Sequence, residues 1–199
     1  LCTVIFCIPV YAAPTDTYTH TDTQGGNTQL QLSQELYTAV KSITAGSLHC
    51  EKALSGITDI CTAPDTSALL LCGEESRILW IESDGRLRKE LSVRTADGRD
   101  VNFAGAKGIY CDGDGAIYLC DTVNARVLVL DGNGTVAEEL KCPVSDLIPA
   151  EFIFQPTAVA KDPEGYLYIL SLGCYYGALM FNPGGEFMGF YGSNTVSGS

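Results

Sequence analysis

One stretch of the sequence, Ala106 to Leu140, recurs in worn copies on either side of itself at a spacing of about fifty residues. That period restricts the fold more than any other feature. Within the stretch, four short runs rich in β-formers, Gly108-Ile109-Tyr110-Cys111, Ala116 to Cys120, Arg126 to Leu130 and Thr135-Val136-Ala137, are broken by Asp112-Gly113-Asp114-Gly115 and Asp131-Gly132-Asn133-Gly134. Runs of this length suit strands rather than helices. Gly and Asn accept the positive φ of tight hairpins, so successive strands are expected to pair antiparallel as a meander. Upstream, Arg77, the run Ile78 to Ile81 and Gly85 fall on Arg126, Val127 to Leu130 and Gly134 at a shift of 49 residues. Downstream, Asp162 to Tyr168 falls on Asp112 to Tyr118 at a shift of 50, and Asn182 to Gly185 falls on Asp131 to Gly134 at 51. A four-stranded unit of this size buries both sheet faces only by stacking against its neighbours, which is the arrangement of β-propeller blades. The expected fold is all-β: a β-propeller fragment of about three four-stranded antiparallel blades, near residues 55–95, 103–142 and 153–192.

The run from Gly108-Ile109 through Asp112-Gly113-Asp114-Gly115 to Ile117-Tyr118-Leu119-Cys120-Asp121-Thr122-Val123-Asn124-Ala125-Arg126-Val127 resembles the NHL repeat, whose blades read roughly G-I-x-x-D-x-x-G-x-I-Y-V-A-D-T-x-N-x-R-I. The first copy keeps only Arg77 of that motif, and the third, at Leu170 to Gly177, has lost the Asp, Asn and Arg. The resemblance covers Ser55 to Gly192 and implies a truncated NHL-repeat propeller of the secreted bacterial type, in the six-bladed TolB-like superfamily. It also implies structural roles for Asp121, Asn124, Arg126 and Arg77. The Asp and Asn would satisfy backbone groups of the turn between strands two and three, and the Arg would brace the neighbouring blade. Related secreted NHL proteins carry a membrane domain further downstream, which makes a membrane anchor beyond Ser199 an expectation.

Ahead of the blades, Leu1 to Ala12 is uncharged and apolar but shorter than the roughly twenty residues needed to span a bilayer. Val10 and Ala12 suit the small-residue positions before a signal-peptidase cut, so residues 1–12 read as a signal-peptide remnant, with a buried N-terminal strand as the other reading. Residues 13–34, rich in Thr, Gln, Asp and Gly, read as an extended or disordered lead. Leu36 to Ile43 alternates as a strand, where a closed propeller commonly uses an N-terminal strand to complete its last blade. Residues 35–199 are then the partial propeller.

A net charge of −12 without a basic face argues against nucleic acid or anionic membrane as a partner. Seven Cys lie after the remnant, an odd number that cannot all pair within one chain, and they are read mainly as small buried hydrophobes. Cys72 with Cys120, and Cys61 with Cys111, are taken as equivalent positions. Asp112 and Asp114 lack the rest of a calcium loop, and the two His, His20 and His49, lie outside the blades, so no metal or other cofactor is expected. No G-x-S-x-G or Ser/His pairing supports a hydrolase, and no catalytic residue is assigned. Aromatics crowd the third blade. Most of them suit packing between blades, but Tyr175 and Tyr176 replace the polar turn motif and are the candidate ligand-binding residues. The expected function is a secreted or cell-surface propeller that binds or scaffolds protein, peptide or glycan ligands. The alternative is a propeller enzyme, lactonase-like or amidating-lyase-like, with a metal in the central channel. As three blades do not close a ring, the outer faces of the first and third are expected to expose apolar side chains.

Overall fold

A computed structural model describes residues 4–9, 17–24, 27–34, 37–50 and 52–192, with side chains from residue 42 onward. The chain divides into two units, residues 1–51 and 52–199. In the first, β1 (Val4–Pro9) pairs antiparallel with β4 (Tyr37–Ile43), and β2 (Thr17–Gln24) pairs with β3 (Asn27–Gln34) in unbroken register. Over its described residues, 17–24 and 27–34, the lead is extended and paired. Thr17, Thr19, Thr21 and Thr23 alternate along β2, a β-branched pattern that favours a strand despite the scarcity of apolar residues. Residues 1–3 and 10–12 of the expected signal remnant lie outside the described residues; its middle forms β1.

The second unit consists of three four-stranded antiparallel sheets in simple sequential order. The first blade holds β5 (Ile57–Thr62), β6 (Ala68–Cys72), β7 (Arg77–Ile81) and β8 (Leu87–Leu91). The second holds β9 (Gly108–Cys111), β10 (Ile117–Asp121), β11 (Arg126–Leu130) and β12 (Val136–Leu140). The third holds β13 (Pro156–Lys161), β14 (Leu167–Ser171), β15 (Ala178–Phe181) and β16 (Phe187–Tyr191). All four expected hairpins are present. In each, the last Gly donates to the carbonyl of the leading residue, as Gly115 does to Asp112 and Gly134 to Asp131. The positive φ falls on that last Gly, at 85° for Gly115 and 88° for Gly134, and not on Asn133. A type I turn followed by a left-handed residue in this way needs glycine only at its final position. The carboxylate of Asp112 also accepts the amides of Asp114 and Ala116, and that of Asp131 accepts the amides of Asn133 and Thr135, so the leading Asp stabilises its own turn.

Strand pairing settles which positions correspond. Leu70 pairs with Leu79 and Cys72 with Arg77, as Leu119 pairs with Leu128 and Asp121 with Arg126. Cys72 is therefore the counterpart of Asp121, not of Cys120, and Cys120 corresponds to Leu71. Likewise Cys61 pairs with Leu69 as Tyr110 pairs with Tyr118, which places Cys61 on Tyr110 and not on Cys111. The one-residue difference decides which face each thiol occupies. Cys61 and Cys111 meet in the core between the first two blades, while Cys120 turns toward the third. Burial pushes the Cys61 and Cys120 thiols up to about 12 and Cys111 to about 11, with the neighbouring Cys111 and Asp59 adding to the effect at Cys61 and Asp112 adding to it at Cys111. These thiols stay protonated at neutral pH and pack as small apolar groups.

Two apolar cores run between the blades. Leu69, Leu71 and Ile78 pack with Ile109, Ile117, Leu119, Leu128 and Leu130 in the first, and Phe103 of the connecting segment completes it. Tyr118, Cys120 and Val127 pack with Val159, Leu167, Ile169, Leu179 and Phe181 in the second. Burying one such aliphatic side chain contributes roughly 1.5–3 kcal/mol, so the seams supply the main cohesion between sheets that share no ladder hydrogen bonds. On the outer face of the third blade Leu170 is 50% and Tyr191 62% exposed, as expected of that face. The expectation is not met at the first blade, where Leu70, Leu79 and Ile81 are fully buried.

The first strands of adjacent blades come close enough to demand small residues. A Cβ added at Gly108 would sit 2.3 Å from the carbonyl oxygen of Thr157 in β13, whereas one added at Gly113 would meet nothing within 4 Å. Gly108→Ala should therefore lower unfolding free energy by about 1–3 kcal/mol through overpacking of the seam. Gly113→Ala should stay within about 0.5 kcal/mol of wild type. Thermal melts of the two variants check this, and equal shifts would contradict the close approach.

Candidate functional site

The β10–β11 turn carries the polar motif singled out by sequence. Asp121 ends β10 fully buried, and its carboxylate accepts Asn124 Nδ2 at 2.9 and 3.0 Å and Arg126 Nε at 2.7 Å. Arg126 then reaches across to Glu139 Oε2 of β12 at 3.3 Å. The Asp and Asn side chains thus bind each other and the Arg, while the turn is closed by its own backbone, from Asn124 N to Asp121 O and from Ala125 N to Thr122 O. Arg126 braces the outer strand of its own blade and not the neighbouring blade, because its position at the start of β11 puts β12 within reach. The link to the next blade comes from Thr122, whose hydroxyl donates to the Pro156 carbonyl at 2.6 Å.

Arg77 repeats the clamp with different partners. With Cys72 in the place of Asp121, its guanidinium turns to Glu75 Oε2 at 2.7 Å and to Glu90 on β8 at 3.1 and 3.3 Å. Glu90 and Glu139 occupy the same register position, so both arginines tie the third strand of a blade to the fourth. Arg77 also donates to the Ala53 carbonyl at 3.4 Å, ahead of the blade, so the pattern is that of a clamp whose ion pairs lie within each blade.

In the third blade Ser171 stands where Asp121 stands in the second. Its hydroxyl accepts the Gln155 amide at 2.8 Å and donates to the Ile153 carbonyl at 3.2 Å, fastening the loop to the segment that enters the blade. The loop then runs through Gly173 and Gly177, both at positive φ, with Tyr175 and Tyr176 between them. The two tyrosines separate. Tyr176 lies 5.5 Å from the Phe190 ring, which in turn contacts Phe152 and Phe187, whereas Tyr175 is 93% exposed. Leu172 and Ile153 are 62% and 69% exposed, on segments joined by the Leu172 amide to Gln155 O and the Ser171 hydroxyl to Ile153 O. A rigid aromatic base thus presents one free ring on an apolar rim.

The sequence reading missed a second polar site. Lys161, the last residue of β13, donates to Asp112 Oδ2 at 2.9 Å across the seam, and Tyr118 Oη donates to the same oxygen at 3.4 Å. Tyr110 Oη closes the group on the Lys161 carbonyl at 3.0 Å. The third blade repeats half of it, with Tyr168 Oη on Asp162 Oδ2 at 3.0 Å. The available signal was the Asp-x5-Tyr spacing shared by Asp112/Tyr118 and Asp162/Tyr168. Burial works against the charge on Asp112, but the Lys161 ammonium and the Ala116 and Asp114 amides outweigh it and hold the carboxyl below the usual carboxylate range. The bond to Asp112 raises Lys161 above the usual lysine range. Asp112, Asp114, Asp162 and Glu164 border a groove of about 500 Å³ at this end of the blades.

No family model and no curated protein matches the chain. Solved structures do. The chain is similar to virginiamycin B lyase from Staphylococcus aureus at a TM-score of 0.53 and 13% identity, over 98% of this chain and 62% of that one. It is similar to the Kuenenia stuttgartiensis hydrazine synthase at 0.51 and 16%, over 73% and 38%, and to a Bacteroides fragilis protein described as exported at 0.50 and 11%, over 71% and 39%. The chain thus spans less than two thirds of the length of each. At these identities the likeness concerns fold, and with the sheet topology it makes the second unit three consecutive blades of a β-propeller.

Two measurements test the polar clusters. Arg126→Ala leaves Asp121 and Glu139 short of a charged partner and should destabilise by about 1–3 kcal/mol in a chemical melt; an unchanged midpoint would remove the clamp role. Because the folded carboxyl of Asp112 lies below its unfolded value of about 3.9, its pairing contributes stability at neutral pH and loses it as pH falls through the folded value. Lys161→Met should lower the neutral-pH melting temperature and flatten its decline below about pH 4 relative to wild type. Parallel acid limbs in the two proteins would show that the pair is not coupled to folding.

Proposed function

We propose that the chain is part of an NHL-type, extracytoplasmic propeller that binds a protein, peptide or glycan ligand through the loop carrying Tyr175 and Tyr176. The observation that carries this reading is the contrast inside the loop. Tyr176 is anchored on the Phe190 stack while Tyr175 stands almost fully exposed, an arrangement that costs little side-chain entropy when a ligand covers it. The charged groups of the other motif-bearing turn are tied up in their own ion pairs, and its exposed apolar residue, Val123, is not aromatic. Support for an extracytoplasmic setting comes from the likeness in fold to the Bacteroides fragilis protein described as exported. Among the described residues, no helix is long and apolar enough to cross a membrane.

Glycan arrays and a random peptide library probed with the chain test the reading. Tyr175→Ala should weaken the best binder by roughly 2 kcal/mol, about thirtyfold, with an unchanged melting temperature. Tyr176→Ala should lose binding and some stability together. A chain that binds nothing on either surface would overturn this reading, and one that carries a stoichiometric divalent ion and shows lactonase or amidating-lyase activity would put the enzymatic alternative in its place.

A further inference from the structure

The two seams and the outer face of the third blade use the same three register positions. Between the first and second blades these are Ala63, Leu69 and, from the incoming blade, Cys111, all within one apolar core. Between the second and third they are Asp112, Tyr118 and the incoming Lys161, joined by hydrogen bonds at 2.9 and 3.4 Å. On the outer face of the third blade they are Asp162 and Tyr168, already bonded at 3.0 Å, with no incoming residue. Among the described residues no lysine, arginine or histidine lies within 4.0 Å of Asp162. Around this pair Ala158, Ala160, Leu170, Ala178 and Tyr191 line a groove of about 530 Å³, and Tyr191 stacks edge-on against Tyr168 at 5.2 Å. Ala158 occupies the register position of Gly108, where the first strand of the third blade passes closest to the second.

We propose that this face is the docking surface for a further four-stranded blade whose first strand ends in a lysine or arginine that reaches Asp162. Three features point to that occupant. The apolar positions continue those that form the seam between the second and third blades. The small residue stands where a first strand must approach closely. The carboxylate, preset by Tyr168, matches a cation delivered as Lys161 delivers its own. A second copy of the chain would have to bring a basic residue to the same point from an edge or loop.

The test extends the chain through Gly192 with a second copy of residues 143–192, which carries its own Lys161 into the required register, and compares it with the unextended chain. The unextended chain should enhance the fluorescence of anilinonaphthalene sulfonate. The extended chain should lose most of that dye signal and sediment as a monomer. Asp162→Asn, which also disturbs the turn and the Tyr168 bond in both proteins, should lower the melting temperature of the extended chain by about 2–4 °C more than that of the unextended chain. In the unextended chain Leu170→Cys should react with a maleimide as fast as a free peptide thiol, read at that residue by mass spectrometry. The proposal is overturned by a slowly labelled residue 170, by a discrete dimer of the unextended chain that excludes the dye, by a copied blade that stays protease-sensitive, or by equal Asp162→Asn shifts in both proteins.

Discussion

A sheet has two faces, and at the two seams of the second unit each apolar face is hidden only by the sheet opposite it. Everything else in the blades follows from that requirement. Within each blade ladder hydrogen bonds join neighbouring strands, but from one blade to the next the contacts are side chains, a few backbone approaches and isolated polar ties such as Thr122 on Pro156. The aliphatic layers at the two seams therefore determine whether the sheets stay together. Glycine at 108 permits the close approach of first strands that lets those layers meet.

Polar groups are arranged around this apolar requirement and not in competition with it. The arginines at positions 77 and 126 work inside a blade, tying its third strand to its fourth near the rim, where water can reach part of the pair. The Asp112–Lys161 pair works between blades, at the turn end of the seam and away from the leucine layer. A buried pair left without its partner is costly, and both placements keep each charge within reach of its complement.

The hairpins were legible in the sequence because their chemistry is local: an Asp or Asn that caps its own turn and a Gly four positions into it. The repeat was legible because those turns recur. The facing of the cysteines was not, since a period of about fifty residues fixes the blade but not the pleat, and a one-residue offset moved Cys72 onto Asp121 and Cys61 onto Tyr110. Lys161 was invisible as a site residue for another reason. Its partner lies 49 residues away and meets it only after two sheets have stacked. Tyr175 and Tyr176 were legible as loop residues, since they break the motif, but that one is anchored and the other free depends on Phe190 at the far end of the blade.

The unlike chemistry of the two seams has a consequence for assembly. Repeated sheets of similar shape carry a standing hazard of docking out of turn, with a later blade settling on an earlier one. Here such a substitution would press the Lys161 ammonium against Ala63 and Leu69, away from the carboxylate it pairs with, and would leave Asp112 without its cation. Both errors strand a charge in an apolar layer. The blades are thus alike in backbone but not interchangeable, and their order along the chain is written into the chemistry of their edges as well as into their connections.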